Sequence, residues 1–210
     1  VFSHIMGNET VDGNETVKGD SDVWGDGHFD GNVSIGNRDD NGNATDSSDL
    51  DVTGNGNFGG DVNIGHDGVD ENGDGTPDRP GDLNVAGDSN INGNETVDGD
   101  ETVKGDSDVW GDQDVSGDSH IGGNETVDGN ETVKGDSDVW GDQQVGGDSH
   151  IMGNETVDGD ETVKGDSSVW GDQEVGGNNH ILGNETVDGN ETVKGDSDVW
   201  GDQNVGGDSH

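Results

Sequence analysis

A six-residue repeat fills most of this 210-residue chain and leaves few folds open to it. Residues 1–36 contain six hexads, residues 48–65 contain three, and residues 81–206 contain twenty-one, which makes thirty. Every hexad carries Val, Ile or Phe at its fifth place, and nearly all begin with Gly followed by Asp or Asn. The unit is therefore G-[DN]-x-x-[VI]-x, with one apolar side chain in a fixed phase.

The repeat favours short β-strands over helices. A period of six does not match the 3.6-residue turn of an α-helix, and Gly, Asp and Asn are poor helix formers. Only 22% of residues are hydrophobic, so no ordinary globular core can form. Strands joined by Gly-Asp and Gly-Asn turns can bury their single Val or Ile by stacking coil on coil. We therefore predict an all-β fold, a parallel β-helix or solenoid.

The block lengths suggest the size of one coil. The uninterrupted blocks of 36, 18 and 126 residues are multiples of 18, which is three hexads and one turn of a three-sided solenoid. The predicted organisation is a solenoid over 1–36, an inserted acidic loop over 37–47, one coil over 48–65, a second insertion over 66–80 and a solenoid over 81–210. From about residue 94 a 30-residue super-repeat overlies the hexads.

The third place of the hexad conflicts with a simple solenoid. In a regular strand it faces the same way as the fifth place, yet it is Glu in every N-E-T and D-E-T hexad, for example Glu95 and Glu125. An unpaired Glu facing inward is strongly unfavourable. We therefore expect this place to lie at a corner. Alternatively, three chains wind into a trimeric triple-stranded β-helix that leaves every Glu outside.

The V-x-G rhythm carries a resemblance to known fibres. Val11-Asp12-Gly13, Val17-Lys18-Gly19 and Val103-Lys104-Gly105 resemble the repeats of triple-stranded β-helical needles and fibres in tailed-virus tails. Gly60–Gly65 and Gly81–Val85 are similar to bactofilins and other polymer-forming surface β-helices. These resemblances imply a structural fibre. The left-handed β-helix of hexapeptide acyltransferases is a poorer match, because it has a small residue where this chain often has Glu.

Both insertions have the oxygen-ligand spacing of calcium loops. The second, D-x-N-x-D-G-T-x-D, resembles the first nine places of an EF-hand-type loop, although its twelfth place is Gly81 and not the usual Glu. The first follows the same spacing with fewer charges. The candidate ligands are Asp70, Asn72, Asp74, Thr76 and Asp78 in the second insertion, and Asn37, Asp39, Asn41 and Asn43 in the first. The alternative is that both are solvated acidic turns.

Ten N-x-[ST] sequons lie on predicted turns, where a secreted fibre would be open to glycosylation. They are Asn8, Asn14, Asn32, Asn43, Asn94, Asn124, Asn130, Asn154, Asn184 and Asn190.

Five tryptophans directly follow the inward Val and are therefore expected to face outward. Exposed Trp side chains contact a neighbouring chain, a glycan or a receptor, or else cover an adjacent strand beside a Lys stem. In an 18-residue coil, successive members of the 30-residue repeat fall on different faces. The candidate contact residues are Trp24, Trp110, Trp140, Trp170 and Trp200.

Charge limits the partners. With 50 Asp and Glu against 7 Lys and Arg, the formal charge is −43, which argues against nucleic acid and anionic membranes and favours cations. No segment is apolar enough for membrane insertion, and no Cys or Ser nucleophile arrangement or phosphate-binding loop is present, so we expect no enzyme activity. The His residues of the G-x-x-H-I segments are expected to face solvent, although a three-His zinc site across subunits is conceivable.

The sequence therefore predicts a self-associating, acidic, structural protein of an extracellular surface filament or adhesive fibre. Structural Ca²⁺ or a high-salt setting would offset the repulsion between stacked carboxylates. One alternative is a trimeric virus tail fibre or spike that binds a host or cell-surface glycan, located in the virion. Another is an acidic cation-binding matrix protein.

Overall fold

The structure, a computed structural model, describes residues 3–13, 15–17, 21–35, 49–64 and 81–210. These residues form thirty parallel strands of three residues each, arranged as three ten-stranded sheets with no helix among them. Consecutive strands belong to different sheets, so three hexads close one coil of 18 residues. The predicted all-β solenoid and its coil length are confirmed, and a single chain is sufficient to close the coil.

Sheet A contains β1 and every third strand after it. Its strands are β1 (Ser3–Ile5), β4 (Ser21–Val23), β7 (Leu50–Val52), β10 (Leu83–Val85), β13 (Glu101–Val103), β16 (Ser119–Ile121), β19 (Ser137–Val139), β22 (Glu155–Val157), β25 (Gln173–Val175) and β28 (Glu191–Val193).

Sheet B begins with β2. Its strands are β2 (Glu9–Val11), β5 (Gly27–Phe29), β8 (Gly56–Phe58), β11 (Ser89–Ile91), β14 (Ser107–Val109), β17 (Glu125–Val127), β20 (Gln143–Val145), β23 (Glu161–Val163), β26 (Asn179–Ile181) and β29 (Ser197–Val199).

Sheet C begins with β3. Its strands are β3 (Glu15–Val17), β6 (Val33–Ile35), β9 (Val62–Ile64), β12 (Glu95–Val97), β15 (Gln113–Val115), β18 (Glu131–Val133), β21 (Ser149–Ile151), β24 (Ser167–Val169), β27 (Glu185–Val187) and β30 (Gln203–Val205). Both insertions lie between a strand of sheet C and a strand of sheet A, so both interrupt the same corner.

The strands consist of the third, fourth and fifth places of each hexad, and their register stacks like places on one another. Val103 pairs with Ile121, for example, and Thr102 with His120. The third and fifth places face inward, while the fourth faces outward. Phe29 and Phe58 stack with their ring centroids 5.4 Å apart. The third place is Gly in both of those hexads, which makes room for the rings.

The corners explain why nearly every hexad begins with Gly followed by Asp or Asn. At one corner, Asp100 N–H donates to Asp82 Oδ1 at 3.0 Å, and Gly99 N–H donates to Gly81 O at 3.0 Å. A Cβ on Gly99 would lie 2.0 Å from that same Asp82 Oδ1. Among the described residues only Gly7 has a positive φ. Glycine is therefore required mainly for close approach between coils.

We expect Gly135→Ala to destabilise the solenoid by about 1 to 3 kcal/mol, as overpacking does elsewhere. The added methyl group would lie 2.1 Å from Asp118 Oδ1 and 2.6 Å from Gly117 O. Gly13→Ala is the matched control, because a Cβ there meets nothing within 4 Å. Thermal unfolding followed by circular dichroism compares the two variants. Equal melting temperatures would contradict the close-approach explanation.

Candidate functional site

A column of carboxyl groups runs inside the solenoid. Eight third-place glutamates are buried, with at most 1% of each residue exposed, namely Glu95, Glu101, Glu125, Glu131, Glu155, Glu161, Glu185 and Glu191. The expectation that this place lies at a corner, or that Glu faces outward in a trimer, is therefore wrong. The chain tolerates these groups because amides and hydroxyls at the same place on other strands bind them.

Each copy of the super-repeat places one glutamine between two glutamates. Gln143 lies 18 residues after Glu125, directly above it on the same sheet, and 12 residues after Glu131, two strands further along the chain. Its Nε2 donates to Glu125 Oε2 at 3.1 Å and to Glu131 Oε2 at 3.1 Å. The same bridge is made by Gln113, Gln173 and Gln203.

Short polar side chains complete the column. Ser149 Oγ donates to Glu131 Oε2 at 3.1 Å, and Ser209 Oγ donates to Glu191 Oε2 at 2.9 Å. Asn179 replaces Ser in one copy and donates through Nδ2 to Glu185 Oε1 at 2.6 Å. The sequence analysis missed these roles of Gln, Ser and Asn. The differences of 12 and 18 residues between inward places were the available signal.

Burial raises the pKa of the carboxyl groups from Glu95 to Glu185 in this column. It raises the pKa of Glu125 and Glu155 to about 7, and that of Glu95 to about 8. In Glu101, Glu131 and Glu161, burial and then neighbouring carboxyl groups raise the pKa well above 4.5. The interior therefore carries far fewer negative charges at neutral pH than its composition suggests.

The hydrogen-bond geometry agrees with protonated glutamates. Gln113, Gln143 and Gln173 each have a buried Oε1 without a hydrogen-bond partner, and several glutamates of the column have a buried Oε1 in the same condition. A protonated carboxyl group supplies the hydroxyl donor that an amide oxygen requires. A buried carboxylate would add a further acceptor and an uncompensated charge.

The five tryptophans are exposed and lie on all three faces. Trp24 and Trp140 follow strands of sheet A, Trp110 and Trp200 follow strands of sheet B, and Trp170 follows a strand of sheet C. Their exposed fractions range from 57% to 73%. Successive copies of the super-repeat thus place Trp on different faces. Their role as contact residues stays a prediction.

The sequon asparagines of the described residues serve in the corner ladders. Asn124 Oδ1, for instance, accepts the Asp142 N–H at 2.9 Å. A glycan attached to Nδ2 would leave this bond intact. Asn8, Asn32, Asn94, Asn124, Asn130, Asn154, Asn184 and Asn190 are all exposed and all accept in this way. Asn14 and Asn43 lie outside the described residues, and glycosylation stays a prediction.

Both calcium-loop candidates lie outside the described residues. Within the part of the chain that the structure describes, no group of three or more His, Asp or Glu side chains is positioned to hold a metal ion. The histidines occupy outward places on different sheets, with His120 on sheet A, His150 on sheet C and His180 on sheet B. A three-His site within one chain is therefore not formed by these residues.

Comparisons with known proteins identify no relative. No protein-family model matches the chain, and neither the curated proteins nor the solved structures contain a match. Among the described residues, no helix is long and apolar enough to cross a membrane.

We expect the stability of the solenoid to fall as the pH rises from about 4.5 to 8. The folded chain holds protons on Glu125, Glu155 and Glu95 up to pH 7 or 8, whereas unfolding returns the pKa of each to its usual 4.5. Stability is therefore greatest near or below pH 4.5 and is lost through this window. Repulsion among the 50 acidic residues acts in the same direction. Chemical unfolding at a series of pH values measures the slope.

Glu131→Gln tests whether the buried glutamates cause this pH dependence of stability. Burial raises the pKa of Glu131 well above 4.5, so removing this titration should stabilise the chain at pH 7 and flatten the pH dependence of its stability. Asp128→Asn is the control. It also removes one carboxylate, but from an exposed place directly after β17, the strand that precedes Glu131 in the chain. If both variants gain the same stability at pH 7, the effect comes from net charge alone and not from the buried column.

Proposed function

We propose that this chain is a structural rod of an extracellular filament or adhesive fibre and carries out no catalysis. The observation that supports this best is the continuity of the three ten-stranded sheets, in which every coil repeats the same corner ladder and the same inward places. Ten coils spaced about 4.8 Å apart give a rod about 48 Å long. Such a fold supplies length and stiffness.

The relation between the two periods also suits a shaft. Thirty residues are five hexads, or one and two-thirds coils, so each copy of the super-repeat advances about 8 Å and turns to another face. The outward Trp, Lys and His groups are thereby distributed around the rod and not gathered into one pocket. This arrangement suits contacts made repeatedly along a fibre.

Cations are the second part of the proposal. The corner ladder of sheet A stacks the carboxylates of Asp82, Asp100, Asp118 and Asp136 on consecutive coils, where each Oδ1 accepts a backbone N–H of the next coil. Charges about 5 Å apart repel by about 0.8 kcal/mol per pair even in water. We propose that calcium, held at the insertions, or high salt offsets this repulsion.

The fibre proposal predicts elongated assemblies of uniform width in electron micrographs of the purified chain. We expect β-structure by circular dichroism and large species by sedimentation in molar salt or millimolar calcium, and loss of both with chelator at low salt. The combined variant Asp70→Asn, Asp74→Asn should raise the calcium concentration required without changing the salt response. The combined variant Asp128→Asn, Asp158→Asn, which also removes two carboxylates from exposed places, serves as the charge-matched control.

Other outcomes distinguish the alternatives. A closed trimer that does not grow would favour the virus tail fibre or spike. Binding of many more than two calcium ions per chain without ordered assembly would favour the acidic matrix protein. A chain that stays disordered and monomeric under every condition would contradict the rod itself.

A further inference from the structure

One face of the solenoid carries a long column without acidic side chains. The sixth places that follow the first seven strands of sheet A form this column, named here the sheet A column: Met6, Trp24, Thr53, Ala86, Lys104, Gly122 and Trp140. The next coil on that sheet brings Asp158. On sheet B the equivalent places include Asp12, Asp30 and Asp128, and on sheet C they include Asp98 and Asp188. In a chain with a formal charge of −43, seven successive sixth places without an acidic residue form a distinct column.

The sheet A column has both protruding and recessed places. Met6, Trp24 and Trp140 are 78%, 58% and 73% exposed. A cleft of about 460 Å³ lies between Trp24 and Lys104 over Thr53 and Ala86, and one of about 580 Å³ lies between Lys104 and Trp140 over Gly122. Lys104 thus separates two hollows on one face.

The super-repeat shows which chemistry fits the hollow at Gly122. In the next two copies, the sixth place that is stacked between Lys and Trp is occupied by a side chain. It is Met152 on sheet C and Leu182 on sheet B. Both are aliphatic and more than a third exposed. At Gly122 the same place lacks a side chain, so the gap between Lys104 and Trp140 is open to an aliphatic group from elsewhere.

A second copy of the chain that runs in the opposite direction brings such an aliphatic group to the hollow at Gly122. If coil one is set against coil six of a second copy, coil two faces coil five and coil three faces coil four. Met6 then meets the hollow at Gly122, Trp24 meets Lys104, and Thr53 meets Ala86. These are an aliphatic group over a hollow, a cation beside an aromatic ring, and two small side chains. Each contact occurs twice, as a two-fold axis requires.

From this complementarity we infer that the sheet A column is a pairing surface for a second copy of this chain, running antiparallel and related by a two-fold axis. The outward fourth places agree with this register. Asp22 faces Thr102, and Asp51 faces Asn84, so neither carboxylate is set against another. The inference deepens the proposed self-associating rod by naming the surface and the partner.

The size of the surface sets the strength of the pairing. Six coils extend about 29 Å, and a three-residue strand spans about 10 Å, so the flat face covers about 300 Å². Stable protein pairs bury about 800 Å² on each partner. The pair is therefore weak in isolation, requires salt to screen the overall charge, and becomes effective where many chains lie side by side.

Cysteine cross-linking tests the register directly, because the chain has no cysteine of its own. Full-length Met6→Cys and Gly122→Cys chains, each at high concentration in molar NaCl with chelator, are oxidised alone and as a mixture. We expect at least a tenfold faster formation of the mixed dimer, since like positions lie about 24 Å apart in the antiparallel pair. Equal rates, or faster linking of Met6→Cys to itself, would overturn the proposal.

Two matched pairs of variants test the surface without a cross-link. Gly122→Met fills the hollow as Met152 does on sheet C, while Gly146→Met changes the equivalent place on sheet B. A Cβ lies 2.5 Å from a backbone oxygen at Gly122 and 2.2 Å at Gly146, so both variants require a similar local shift. Lys104→Glu and Lys134→Glu are a second pair, at exposed places on sheet A and sheet C.

Sedimentation equilibrium should show at least a tenfold weaker pairing for Gly122→Met and Lys104→Glu, and no change for Gly146→Met and Lys134→Glu. Equal effects within each pair would overturn the assignment to sheet A. If fibres form while these tests fail, only the pairing surface is wrong. If no assembly of any kind forms, the proposed fibre fails with it.

Discussion

The contact between successive coils at the Gly-Asx corner is the constraint on which the rest of the structure depends. The side-chain oxygen of Asp or Asn accepts a backbone N–H from the next coil. It occupies the space that a Cβ on the Gly of that next coil would fill. This contact fixes neighbouring coils in register at all three corners. Because the register is fixed, like places stack, and one apolar residue in six is enough to form a continuous core.

The two periods of the sequence produce the inside and the outside of the rod together. Eighteen residues separate stacked places, and thirty residues separate copies of the super-repeat, so corresponding residues of successive copies do not stack on one another. Inside, this offset brings each bridging Gln between two Glu instead of stacking Glu on Glu. Outside, it carries Trp from face to face.

The fold could be predicted from the sequence because it follows from spacing alone. The hexad indicated the strand, and the block lengths of 36, 18 and 126 indicated the coil. The interior could not be predicted in the same way. Glu95 and Glu125 were expected at a corner or outside, because each was considered alone. Their partners are 12 or 18 residues distant, so only the three-dimensional register identifies Gln113 and Gln143 as the groups that make their burial possible.

The central claim is that the third-place glutamates of a single chain face the interior, and carboxyl footprinting tests it most directly. The native chain is treated briefly with a carbodiimide and an amine, then unfolded, cleaved after lysine and examined by mass spectrometry. Residues 105–134 and 135–164 each contain two inward glutamates and an exposed aspartate, Asp128 or Asp158. The account predicts modification of the aspartates and protection of Glu125, Glu131, Glu155 and Glu161 until the chain is unfolded. Modification of these glutamates at the rate of Asp128 would place them outside and contradict it.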